Sequence, residues 1–157
     1  MVSKVYLAGE VPPEGRYDWR TKIIPFLLEH KFAVLTPDPS CWGLIKLDDY
    51  YDQEKRFDFS RYEELASKFV GVVERDLNQV TRSDIVFAYI PVLTNRFGTT
   101  CEVYEAWKQK KTVWIITDPR KMDNAWAYTL ATKVFRSFEE FMRWYMESGQ
   151  DDVWQNR

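Results

Sequence analysis

The sequence predicts an α/β fold: a flavodoxin-like three-layer sandwich around a five-stranded parallel sheet of order 2-1-3-4-5. Three observations carry that expectation. Short β-rich runs alternate with helical periods along the chain, the pattern of βαβ units and of a sheet covered on both faces. One of those runs, "DIVFAYI" (84–90), is apolar on both faces, as a strand in the middle of such a sheet must be. The 157 residues fit a single domain, 1–157, able to bury about 70% of its unfolded surface. With 45% apolar and 17% aromatic residues, a packed core follows.

Each element has its own signature. "KVYLAG" (4–9) is short, β-rich and stopped by Gly9, which makes it a buried first strand. Two prolines and a glycine in "EVPPEGR" forbid regular structure. From Tyr17 to His30, Trp19, Ile23, Ile24, Phe26, Leu27 and Leu28 recur at helical spacing, and Pro25 is expected to kink or split that helix. "FAVLT" (32–36) is the second strand, closed by "PDPS", where Asp38 reads as a turn residue. Residues 40–59 have no clean period, and a loop of about 20 residues in a compact domain points to a functional insert or lid. Ser60 and Glu63 make the pattern of a capping box. The helix they open runs to about Thr81, with Tyr62, Leu65, Phe69, Val72, Val73 and Leu77 on one face. Beyond the third strand, Thr99 to Lys110 reads as helix, "TVWIIT" (112–117) as strand and "KVF" (133–135) as a short last strand. Ser137 caps a final helix through about Glu147, rich in aromatic residues.

Composition narrows the function. A net charge of −2 gives no basic field for a nucleic-acid polymer and no polybasic patch for a membrane. No run approaches the roughly 20 apolar residues of a spanning helix, and "MVSKVYLAGE" is too short in apolar residues for a leader or anchor. Two cysteines, Cys41 and Cys101, fit a reducing, cytoplasmic setting. The single His30 and the lack of a cysteine cluster predict no metal site. The first loop lacks G-x-G-x-x-G spacing and the Ser/Thr/Gly content of a flavin-phosphate loop, so no cofactor is expected.

In a 2-1-3-4-5 sheet, ligands bind outside the carboxyl ends of strands 1 and 3, where the winding reverses. The candidate loops are therefore 9–16 and 91–98, with Glu102 just beyond the second. Two readings of Glu102 stand side by side. "TTCE" fits S/T-x-x-E, so Thr99 would cap the helix and Glu102 would bond back to it, for about 1 kcal/mol. Alternatively, an ionised carboxylate in a first helical turn beside a crevice can trap an oxocarbenium-like sugar carbon as an ester. Gly98 would then let backbone approach the ligand.

"VYLAG" at the first strand, "ERDLNQVTRSDIVFAYIP" at 74–91 and "GTTCE" at 98–102 together resemble the nucleoside 2-deoxyribosyltransferase family, which includes enzymes that hydrolyse nucleotide N-glycosidic bonds. The match runs in order from about Val5 to Asp118; the block D-L-N-x-[VI]-x-x-[SN]-D is its specific part, whereas "GTxxE" alone would be weak. The resemblance implies that Glu102 attacks C1′ of the sugar, that Asp76 protonates the leaving base, and that the Tyr6 hydroxyl orients the nucleophile. Each has a plainer reading: Tyr6 as a core aromatic, Asp76 as a solvated helix residue. Asp76 also poses a geometric difficulty, since a helix leading into strand 3 runs away from the ligand edge.

Candidate substrate contacts are Gly9, Trp19, Asn95, Arg96, Gly98 and Thr99. Trp19 offers a stacking surface, with Arg16 or Arg20 for an anionic group. Arg96 departs from the family, whose transferases carry there an Asp for the sugar 5′-hydroxyl and whose monophosphate hydrolases a small hydroxyl residue. A guanidinium instead suits a phosphate or carboxylate. The resemblance implies a small-molecule nucleoside or nucleotide as partner and a homo-oligomer that completes each site from a neighbour, although "DDVWQNR" only approaches the family's terminal aromatic with Trp154. The competing class is a binding module that senses a nucleotide or nucleotide-sugar without turning it over.

Overall fold

The computed structural model describes residues 1–12, 15–37, 45–91, 97–118 and 125–150. Five parallel strands form one sheet: β1 (Lys4–Gly9), β2 (Ala33–Leu35), β3 (Ile85–Ile90), β4 (Thr112–Thr117) and β5 (Lys133–Phe135), in the order β2-β1-β3-β4-β5. The crossover helices are α1 (Arg20–Glu29), α2 (Tyr62–Arg82), α3 (Phe97–Lys108) and α4 (Ala125–Leu130), and α5 (Phe138–Glu147) follows β5. Among the described residues no helix is long and apolar enough to cross a membrane.

Strand alternation divides the core into two layers of different chemistry. Val5 and Leu7 of β1, Ile85 and Phe87 of β3, and Trp114 and Ile116 of β4 face α1 and α5, where Trp19, Phe138, Phe141 and Tyr145 meet them. Tyr6, Ala8, Val86, Ala88, Val113 and Ile115 face the other way, toward Val80 of α2, Val103 and Ala106 of α3 and Ala127 and Leu130 of α4. The first layer is aromatic; the second is built mainly of alanine and valine.

Several boundaries differ from expectation for identifiable reasons. Pro25 does not split α1: it lies exposed within a continuous helix, so its missing N–H forfeits one ladder bond at the solvent face. Ser60 does not start a capping box. Asp58 accepts from its amide at 3.1 Å and its hydroxyl at 2.6 Å, capping a 3₁₀ turn, Phe59–Arg61, that leads into α2. Of the apolar face expected on that helix, Val72 is buried and Leu65, Phe69 and Leu77 are half-buried, while Tyr62 and Val73 are exposed. The described part of the insert is ordered by polar contacts. Tyr50 is buried and donates to Glu64 at 3.0 Å, with the Arg61 guanidinium over its ring, and Asp52 accepts from the amides of Glu54 and Arg56. α4 has no counterpart among the expected elements, whereas α5 begins as expected, with the Ser137 hydroxyl accepting from the Glu140 amide at 3.1 Å.

Candidate active site

The capping question is settled by where α3 begins. It starts at Phe97, not Thr99, which moves Glu102 into the second turn, below the reach of any cap. Thr99, Glu102, Val103 and Ala106 are its buried residues and recur at i, i+3, i+4 and i+7, so Glu102 belongs to the inward stripe. There its Oε1 accepts a 2.7 Å hydrogen bond from the Tyr6 hydroxyl, reaching across from β1. Tyr6 is fully buried and Glu102 nearly so. The phenol satisfies both demands of a buried polar pair, its own and the carboxylate's.

Asp76 joins them, and its apparent misplacement dissolves once the depth of the site is known. Asp76 is six residues before the end of α2, roughly 9 Å up that helix. Tyr6 pairs in register with Val86, only the second residue of β3, so the floor of the site lies near mid-sheet rather than at the strand tips. Glu102 descends to the same depth, about 7 Å down α3 from Phe97. A helix of 21 residues spans about 30 Å and runs past the sheet edge, and its upper turns then form a wall. Asp76 sits in the stripe Phe69, Val72, Val73, Asp76, Leu77, Val80, a carboxylate embedded in an apolar face. It is 8% exposed, so the plainer reading of a solvated helix residue does not hold.

Asp76 and Glu102 line one cavity of about 620 Å³. Gly9, Glu10 and Val11 form one side, Phe69, Val72, Val73 and Leu77 of α2 another, Phe97, Gly98, Thr99 and Cys101 of α3 a third, and Leu47 of the insert and Pro37 close it. The size and the apolar wall around few polar groups are those of a small-molecule site. Burial pushes Glu102 up to about 7; the Tyr6 hydrogen bond opposes that, the Asp76 charge adds to it, and the Arg20 charge opposes it. The same burial, with Glu102 and Asp76 beside it, pushes the Tyr6 phenol far above its ordinary value, so it remains a hydrogen-bond donor. Chemically this is an oriented carboxylate poised near neutrality with a second carboxyl nearby, the kind of pair that divides acid and base roles.

Not every expected contact comes here. Gly9, Gly98 and Thr99 line the cavity, while Asn95, Arg96, Asp38 and Trp154 lie outside the described residues. Trp19 is on the opposite face of the sheet, stacked with Phe87 and Phe138 and tilted against Tyr89 at 5.2 Å. It lines a second cavity of about 670 Å³ on the α1–α5 side instead. Its ring also explains Gly9: with φ at +154°, a Cβ there would stand 3.0 Å from the Trp19 ring and 3.1 Å from the Tyr89 carbonyl oxygen. Arg16 is exposed and Arg20 buried, its guanidinium already taken up by backbone carbonyls. The α2 wall, Leu47 and Phe97 are absent from the expected set. The helical stripe in α2 signals the first; nothing in the sequence places the other two.

Sheet order, helix placement and the buried pair at the β1/β3 switch point define a flavodoxin-like, doubly wound α/β protein. No protein-family model matches the sequence. No curated protein matches it either. Solved structures do share its fold. It is similar to a 2-deoxyribosyltransferase from the psychrotolerant bacterium Bacillus psychrosaccharolyticus at 18% identity, with a TM-score of 0.62 over 89% of this chain and 90% of that one. A conserved protein from Enterococcus faecalis V583 aligns at 15% identity and TM-score 0.60, covering 94% and 99%. The CMP N-glycosidase BcmB of Clostridium botulinum aligns at 14% identity and TM-score 0.51, covering 90% and 96%. The chain has the fold of these deoxyribosyltransferase and N-glycosidase structures.

Proposed function

We propose that this protein cleaves the N-glycosidic bond of a nucleoside or nucleotide through a glycosyl ester on Glu102. The observation that carries the reading is Glu102, which lines a cavity together with Asp76 and accepts a buried 2.7 Å hydrogen bond from the Tyr6 hydroxyl. In the first step a Glu102 oxygen bonds to C1′ and the C1′–N bond breaks, its electron pair leaving with the base. Asp76 assists departure of the base, passing a proton to the ring nitrogen as it leaves. A second base or water then attacks C1′, the ester breaks and Glu102 is regenerated, with net retention at the sugar carbon. Transfer and hydrolysis share the first half-reaction. The Tyr6 phenol holds the attacking carboxylate in place and favours its ionised form. The test mixes the protein with deoxynucleosides, their 5′-monophosphates and a second base, with products followed by chromatography. Turnover that vanishes in Glu102→Ala is expected; no turnover in any pairing, or equal turnover in Glu102→Ala, rejects the mechanism.

One observation favours a second reading. A carboxyl pushed up to about 7 is partly neutral at physiological pH and so a weaker nucleophile, which suits a module that binds a nucleotide or nucleotide-sugar intact. Thermal stabilisation by ligand separates the two: a sensor keeps it indefinitely, an enzyme loses it as substrate is consumed. A homo-oligomer belongs to the same proposal. Val70, Val73 and Phe97, exposed beside the cavity, support it, and sedimentation velocity checks it.

A further inference from the structure

Behind β1 a buried cation is tied to the loop that walls the cavity. β2 ends at Leu35, the register partner of Tyr6, so among the described residues the outer edge of β1 has no neighbouring strand from Leu7 onward. Carbonyls alternate between the two edges of a strand, and Leu7 and Gly9 therefore turn theirs toward the same open side. Arg20, 4% exposed in the first turn of α1, fills it. Nη2 donates to the Leu7 carbonyl at 3.2 Å and the Gly9 carbonyl at 2.9 Å. Nη1 donates to the Glu10 carbonyl at 2.8 Å and to Asp18 Oδ1 at 3.2 Å. The guanidinium also lies 4.6 Å from the centre of the Trp19 ring, whose Nε1 donates to the same Glu10 carbonyl at 3.3 Å. A planar fork reaching two carbonyls of one strand edge and the Glu10 carbonyl just beyond it is geometry that arginine supplies and lysine does not. Gly9 and Glu10, the residues it grips, are cavity wall.

We propose that Arg20 is a positioning residue of the Glu102 site: its fork fixes the loop after β1 as one wall of the cavity, and its charge stands behind the strand as the counterweight to the buried Glu102 carboxylate. The proposal rests on the reading that Glu102 and its cavity are the functional site. The groups that face Glu102 are the Tyr6 phenol from β1, Asp76 from α2, Cys101 on its own helix and Glu10 across the cavity, with Arg20 the cation that acts on it. Asp18 offsets part of the Arg20 charge, but it is a third exposed while Arg20 is buried, so solvent screens Asp18 more.

The test needs no substrate. In protein carrying ¹³C-labelled glutamate, the Glu102 carboxyl is identified by its loss in Glu102→Gln and titrated by NMR, alongside amide exchange of Gly9, Glu10 and Val11. In Arg20→Met, the Glu102 midpoint is expected to rise by about half a unit and the loop amides to exchange about tenfold faster. Arg20→Lys keeps the cation and loses the fork, so the midpoint is expected to return toward wild type while exchange stays fast. A folded Arg20→Met with an unmoved midpoint overturns the proposal, as does a midpoint displaced equally in both variants. Should Arg20→Met fail to fold, Arg20→Lys decides: fast exchange with the midpoint held supports it, and unchanged exchange overturns it. Absence of turnover in the wild type would reject the glycosyl chemistry and leave these titrations standing, so the two failures are distinguishable.

Discussion

The two faces of the sheet are built by opposite rules. On the α1–α5 side, Trp19, Phe87, Trp114, Phe135, Phe138, Phe141 and Tyr145 interlock, with Phe87 and Phe141 edge to face at 4.8 Å. On the α2–α3 side, the positions paired across β1 and β3 are Tyr6 with Val86 and Ala8 with Ala88, and the one aromatic ring of that cluster among the described residues, Tyr6, ends on a carboxylate. Bulky rings fill space and hold the sheet together, while small residues leave room for a cavity and for buried charge. The difference separates a layer that holds the sheet together from the layer that holds the candidate site, so substitutions in each should move different observables.

The largest expected effect is on the aromatic side. Trp114→Ala removes a ring that touches Phe32, Phe87, Phe141, Trp144 and Tyr145. It is expected to cost about 3–5 kcal/mol, read as a lowered urea midpoint. If the fold survives, the Glu102 titration should be unchanged; a shift there would show that the two layers are not separate.

Next comes Glu102→Gln, expected to stabilise the protein while abolishing any turnover. Burial holds the folded-state value of Glu102 at about 7, above the ordinary 4.5. The folded protein thus binds more protons than the unfolded chain between those values, and stability falls as pH rises through that window. Above about pH 7 the full cost is present, on the order of 3 kcal/mol; below about pH 4.5 it is gone. Glu102→Gln should therefore be more stable than wild type at pH 8 and nearly equal at pH 4, by urea unfolding at both. Equal stability at pH 8 would mean that the carboxylate is not desolvated. Tyr6→Phe works in the opposite sense. It removes the donor that favours ionised Glu102, so its loss of about 2 kcal/mol is expected above pH 7, where the carboxylate is charged in both states. The loss shrinks below pH 4.5, where Glu102 is neutral in both.

The same contrast explains what was legible in the sequence. The sheet order was, because strand and helix periods alternate cleanly and parallel crossovers have one hand. Glu102, Asp76 and Tyr6 were named through the motifs they sit in, but their depth was not. Nothing in "GTTCE" shows that α3 starts two residues earlier, turning an apparent capping box into an inward stripe. Asp76 looked misplaced only while the site was assumed to lie at the strand tips; the stripe Val72, Asp76, Val80 is visible in the sequence and points it inward. Trp19 shares the inward stripe of α1 with Ile23 and Leu27, but that period names only a buried face; the β1–β2 crossover, wound against the later ones, sets α1 on the side of the sheet away from Glu102. α4 has six residues, too few to show a helical period.

The smallest expected effect tests the spare face directly. Ala88 is fully buried, faces the α2–α3 layer and pairs in register with Ala8, so the sheet there is as thin as side chains allow. Its neighbour Phe87 points into the aromatic layer. Ala88→Val adds two methyl groups to a site whose helices already pack against it through Val80, Val103 and Ala106. If that layer is close-packed below the cavity, the added volume pushes α3 outward and costs about 1 kcal/mol. The Tyr6–Glu102 hydrogen bond spans β1 and α3, so the same displacement should stretch it, and the Glu102 midpoint should rise as its donor recedes. Stability loss with a raised midpoint is the expected pair of readings, by urea unfolding and ¹³C titration. A gain in stability would instead mean that Ala88 borders empty space, and the small residues would then be slack in the core rather than the reason α3 can bring its carboxylate to the phenol.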